Sequence, residues 1–94
     1  MKITWDENKN KINKTKHRID FETAQFVFDD PLLFSRQDRF VNGEERWQTI
    51  GLVDGEALLL VAHTWTDYEN EEYIRIISAR LADKTERRRY ENSR

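Results

Sequence analysis

The sequence predicts one α+β domain over residues 1–94, with two N-terminal helices packed on an antiparallel β-meander and a short helix closing the chain. Three observations carry this. Before Pro31, helix caps and apolar spacings of three and four dominate. From Leu32 onward, β-branched and alternating runs are punctuated by Asn42-Gly43 and Asp54-Gly55. From Asp83 the pattern turns helical again.

Ile3-Thr4-Trp5 reads as a short first strand. Asp6 follows as an N-cap, its carboxylate free to accept the unpaired N–H groups of a first turn, and the helix runs to about His17. This helix is strongly polar, with Ile12 nearly its only apolar side chain. Asp20 is a second cap, followed by Phe21, Ala24 and Phe28 as a core stripe. Pro31 ends that helix, because it lacks a donor and restricts the residue before it. Strands are expected over 33–40, 45–53, 57–62 and 73–79, with a polar loop over 66–72. The run Ala57–Ala62 is apolar on both faces and therefore central. Asp83 with Glu86 forms a capping box for a last helix from Lys84 to about Tyr90.

Asp54-Gly55 favours a two-residue type I′ hairpin. That turn sets Arg46 opposite His63 on one sheet face, with Cβ atoms about 5 Å apart. Glu45 and Thr64 then share the other face.

Several function classes drop out. With no cysteine, disulfides and zinc–thiolate sites are impossible. The start, MKITWDENKNK, lacks the apolar core of a signal peptide and no run suits a bilayer span, so the cytoplasm is the expected compartment and no membrane partner is expected. His17 and His63 are not spaced as metal ligands, and the three glycines form no phosphate loop. Ser35, Ser78 and Ser93 lack a nucleophile elbow. No cofactor is called for. Net charge is −2, but unevenly spread. Residues 1–18 carry six bases against two acids, and residues 74–94 carry seven bases against three. If the two ends meet in the fold, a basic surface suited to phosphates results; apart, they are solvated helix faces.

The remaining polar set suits RNA cleavage without a metal. The ribose 2′-OH attacks the adjacent phosphate, so a site needs a base, cations on the phosphorane and an acid for the leaving 5′-oxygen. Arg46, Arg75 and Arg80 offer fixed forks for phosphate, and His63 exchanges protons near neutral pH. Lys9, Asn13 and Lys16 fall on one helical stripe, which suits an RNA backbone or plain solvation. Tyr90 suits base stacking or acid catalysis on one reading and core packing on the other. Trp65, Tyr68 and Tyr73 flank an acidic loop and are candidate anchors for a protein partner.

Beyond these features the chain resembles the BrnT toxin family from about Trp5 to Tyr90. The resemblance rests on Trp5-Asp6-Glu7-Asn8-Lys9, Asn13 with Lys16-His17, Asp20-Phe21-Glu22 and Phe28-Asp29-Asp30-Pro31. It continues in Gly43-Glu44-Glu45-Arg46, Ile50-Gly51, His63-Thr64, Arg75-Ile76-Ile77-Ser78-Ala79-Arg80 and the tail Glu86–Glu91. It implies a RelE-like toxin fold, a ribonuclease that inhibits translation, and a cognate antitoxin with a ribbon-helix-helix DNA-binding part. DNA would then be reached only through the antitoxin, in a complex that represses its own operon. Carried over by position, family elements fall on Thr64, Glu45-Arg46 and Ser78-Ala79-Arg80, which adds Thr64 to the RNA-binding candidates. Many members have Gly where this chain has Arg18, and Arg where it has Thr66. The lost cation at Thr66 leaves an alternative: a catalytically inactive binding module acting with its antitoxin on an operator.

Overall fold

The computed structural model describes residues 1–93. In chain order the elements are β1 (Lys2–Trp5), α1 (Glu7–His17), α2 (Phe21–Ala24) with a 3-10 helix (Gln25–Asp29), β2 (Phe34–Val41), β3 (Glu44–Val53), β4 (Ala57–His63), β5 (Thr66–Tyr68), β6 (Glu71–Leu81) and α3 (Lys84–Asn92). No helix among the described residues is long and apolar enough to cross a membrane.

α1 begins where expected, with the Asp6 carboxylate accepting from the Asn8 and Lys9 amides. Lacking an apolar stripe, it is held by two buried amides. Asn10 donates to Glu7 and Glu22 and accepts from the Phe21 N–H at 2.8 Å. Asn13 donates to the Ile19 and Ala79 carbonyls and accepts from the Ala79 N–H. β1 covers the edge of β6 only as far as Ile76, so the Asn13 amide takes the place of a neighbouring strand at Ala79. The helix stops at Arg18, whose N–H reaches the Lys14 carbonyl at 2.9 Å from a left-handed conformation, φ 60°. That is the conformation glycine adopts most readily at this position.

The expected second helix is shorter than its apolar stripe suggested. Asp20 caps it through the Thr23 N–H, but after one turn it tightens to a 3-10 helix. Phe21, Ala24 and Val27 are all fully buried, and their spacing of three matches three residues per turn. The 3-10 helix presses on Gly51, where a Cβ would come within 2.7 Å of the Val27 Cβ and carbonyl oxygen.

The sheet order is β1-β6-β4-β3-β2, with β5 also paired to β6. It is mixed rather than an antiparallel meander, because β1 lies parallel to β6. The intervening chain supplies the long crossover that parallel neighbours require. The expected 66–72 loop is instead a hairpin, β5 turning into β6 through Glu69 and Asn70, both at positive φ.

The Asp54-Gly55 turn closes, with the Glu56 N–H on the Val53 carbonyl at 3.1 Å, yet Val53 pairs with Ala57. Glu56 is therefore an extra residue, and the register moves by one. Trp47, not Arg46, lies opposite His63. Because side chains alternate, this slip carries Arg46 to the other face of the sheet from His63.

One face packs Val53, Leu59, Val61, Ile74, Ile76 and Ala79 against Phe21, Ala24 and Val27. The opposite face packs Ile50, Leu58 and Leu60 under Tyr90 of α3. α3 opens with the expected capping box between Asp83 and Glu86. Asp30 ties the segments together, accepting from the Leu52 N–H at 2.8 Å and the Tyr90 hydroxyl at 2.6 Å.

Candidate active site

α3 covers only part of its face. Strand alternation brings Glu44, Arg46 and Gln48 of β3 to the open remainder, with Arg36 of β2 and Ser78 and Arg80 of β6, and a one-residue bulge in β6 between Ser78 and Ile76 adds Arg75. The three arginines singled out in the sequence thus share one face. Two of them meet at one carboxylate. Arg75 Nη2 lies 2.6 Å from Glu44 Oε1, and Arg46 Nη2 lies 3.4 Å from the same oxygen. The hydrogen bond from Arg75 holds Glu44 below the usual carboxylate range, with Arg46 adding to the effect. Arg46 Nε is buried and has no hydrogen-bond partner among the described residues. Nε is enclosed by the protein, so the terminal nitrogens of Arg46 and Arg75 are the atoms that meet an anion on this face.

Arg80 stands apart from this pair. Both terminal nitrogens bind the nearly buried Glu86 at 2.8 Å, a bidentate clamp that keeps Glu86 ionised and fastens the first turn of α3. Its fork is occupied by the fold.

His63 is placed elsewhere, and the expected pairing with Arg46 is corrected by the register. Its side chain is fully buried on the helix-covered face, against the ring of Phe28 at 4.9 Å and that of Trp65 at 6.1 Å. Nε2 lies 2.7 Å from Thr49 Oγ1 and Nδ1 2.9 Å from the Thr64 carbonyl oxygen. Burial pushes the imidazole down to about 4, although the Thr64 bond partly opposes the shift. A ring that is enclosed, neutral and hydrogen-bonded at both nitrogens has no path to a substrate proton.

The remaining candidates divide similarly. Lys9 and Lys16 are exposed and border a groove of about 210 Å³ that Ile77 and Ser78 line from β6. The basic helix therefore does lie beside β6. Asn13 is buried in its pairing with Ala79, so its amide is spent on the fold. Tyr90 is likewise a core residue, 3% exposed, with its hydroxyl on Asp30. Thr64 is buried, and its hydroxyl accepts the Arg75 N–H at 3.2 Å while its own N–H donates to the Arg75 carbonyl at 3.0 Å. Glu45 pairs with Phe40 beside the turn, on the side of the sheet away from Arg46. Trp65 packs inward and binds Glu72, whereas Tyr68 is exposed. Sequence reasoning missed Glu44, whose signal was its alternation with Arg46 along one strand face, and Asn10, which a polar helix disguised.

A small mixed sheet carrying arginines on an open face, flanked by a basic helix, belongs to a class that the comparisons define. The family model described as "Ribonuclease toxin, BrnT, of type II toxin-antitoxin system" matches residues 5–86. Among solved structures, the crystal structure of the ribonuclease toxin BrnT of Brucella abortus matches with a TM-score of 0.61 and 27% identity, covering 89% of this chain and 99% of that one. A comparison with curated proteins gives no match. The chain belongs to the BrnT family of ribonuclease toxins of type II toxin–antitoxin systems.

Proposed function

We propose that this protein is a metal-independent endoribonuclease toxin that inhibits translation and is neutralised by a cognate antitoxin with a ribbon-helix-helix part. Contact with DNA is then indirect, through that antitoxin. The observation that carries the reading is the convergence of Arg46 and Arg75 on one oxygen of Glu44 on the open face of the sheet. Two fixed forks aimed at one anion-sized point on an open face suit a phosphodiester and the extra charge of its phosphorane.

In this reading Arg46 and Arg75 hold the scissile phosphate. Glu44, ionised beside it, takes the proton of the ribose 2′-OH as that oxygen attacks phosphorus. The P–O5′ bond breaks, and the leaving oxygen takes a proton from solvent on this open face. A 2′,3′-cyclic phosphate and a free 5′-OH are left. Lys9 and Lys16 contact flanking phosphates, Arg80 braces the rim through Glu86, and Thr64 acts on Arg75 from beneath. In this reading charge stabilisation falls to the arginines.

The test is cleavage of single-stranded RNA by the purified protein in EDTA, with the product ends analysed. Cleavage that persists and leaves cyclic phosphate supports the proposal. Activity abolished by chelation and restored by magnesium or zinc contradicts it. The second reading, an inactive module that only joins its antitoxin on an operator, is favoured by Thr66 in place of the family's arginine and by the neutralisation of Arg80 by Glu86. Antitoxin binding without RNA cleavage under any metal condition selects that reading.

A further inference from the structure

We propose that Thr49 and His63 are positioning residues that set the place of Arg75 through a buried hydrogen-bond chain crossing the sheet; the inference rests on Arg75 acting at the phosphate. The chain starts at Ser35 of β2, whose hydroxyl lies 2.7 Å from Thr49 Oγ1. It continues through Thr49 Oγ1 to His63 Nε2 at 2.7 Å, and through Nδ1 to the Thr64 carbonyl at 2.9 Å. Thr64 then grips the Arg75 backbone twice, through its N–H and its hydroxyl.

Chemistry fixes the direction of every proton in this chain. The Thr64 carbonyl only accepts, so Nδ1 carries the hydrogen and Nε2 of the neutral ring accepts. Thr49 must therefore donate to Nε2 and accept from Ser35. A fully buried imidazole with one allowed tautomer and both nitrogens engaged has one orientation.

The chain ends where the sheet is irregular. Ala62 pairs with Ser78, but His63 pairs with Ile76, so β6 carries one extra residue at this point. Such a bulge re-aims the side chains beyond it. Here it turns Ile74 and Ile76 into the core and leaves Arg75 on the open face, directed at Glu44. The regular ladder to β4 gives way there, and Thr64 fixes the backbone of Arg75 in its stead. His63 in turn holds the Thr64 carbonyl.

The test compares Thr49→Val, which keeps the volume but lacks the hydroxyl, with Thr49→Ser, which restores it, beside Thr64→Val and Arg75→Ala. Each is assayed for kcat and KM on RNA well below its unfolding temperature, and for amide exchange at Arg75. Displacing a positioned group by a fraction of an ångström to 1 Å costs up to about 10²-fold in rate. Thr49→Val and Thr64→Val are expected to lower kcat by about 10- to 100-fold with KM little changed, and to speed exchange of the Arg75 amide. Thr49→Ser is expected to recover the parent values. Parent kcat and parent Arg75 exchange in folded Thr49→Val, with Arg75→Ala inactive, overturns the positioning role alone. Full activity in Arg75→Ala overturns the phosphate-binding reading and this inference with it. Should Thr49→Val fail to fold, Thr64→Val decides the matter on the same readouts.

Discussion

Arg75 Nη2 and Glu44 Oε1 lie 2.6 Å apart, an ion pair made between β6 and the start of β3 across the open face of the sheet. It places an anion where a phosphate is proposed to sit. The same carboxylate is the group proposed to take the 2′-OH proton. Replacing it therefore has two opposed effects. Glu44→Gln is expected to tighten binding of uncleaved RNA, since the arginines lose their internal counterion. Its cleavage rate should fall by about 10²–10⁴-fold, the usual cost of losing a general base. Filter binding at fixed salt and single-turnover cleavage check both, and unchanged cleavage removes Glu44 from the proton transfer.

His63 makes stability depend on pH. Its ordinary value of 6.5 in the unfolded chain falls to about 4 in the folded one, so the unfolded chain binds the extra proton first. Stability is complete above pH 6.5 and is lost progressively as pH falls to about 4, by up to about 3 kcal/mol. Asp20, Glu44 and Glu86 are all held below their ordinary values, and each adds a loss of the same sign at lower pH. Urea unfolding at pH 7.5, 6 and 5 measures the effect. Flat stability across that range contradicts a neutral, buried imidazole.

Arg18 closes α1 at φ 60°, where a side chain is strained and glycine is not. Arg18→Gly is expected to raise stability by about 1 kcal/mol, or roughly 4–8 °C in Tm for a domain of this size. Thermal unfolding settles it; a lowered Tm would mean that Arg18 makes a stabilising contact outweighing the strain.

The element order was largely legible because caps and turns are local. Asp6, Asp20, Asp83 with Glu86, and Asn42-Gly43 each act within a few residues, and each formed as expected. What depends on distant partners was not. The parallel pairing of β1 with β6 has no local signature, and α1 is held by Asn10 and Asn13, amides that a polar helix hides. The site suffered most from one residue. Asp54-Gly55 made its turn, but Glu56 stayed outside the ladder, and that single step moved His63 from beside Arg46 into the core. The arginines share a face all the same, because the one-residue bulge of β6 between Ser78 and Ile76 brings Arg75 round to the side of Arg80 and Arg46. Glu44 lies two residues before Arg46 and was legible by the same rule, yet only the tertiary approach of β6 gives it meaning.

On the proposed mechanism, Arg46 and Arg75 stabilise charge on the phosphate being cleaved. The most direct measurement is the single-turnover cleavage rate of Arg46→Ala and Arg75→Ala in EDTA, taken with thermal unfolding of each variant. Removing a preorganised cation from a phosphorane should cost about 10²–10³-fold in rate. The ion pairs themselves are partly exposed, so stability should change by no more than about 1 kcal/mol. Folded variants that lose cleavage by that factor are the expected result. Folded variants that cut RNA at the parent rate contradict the mechanism.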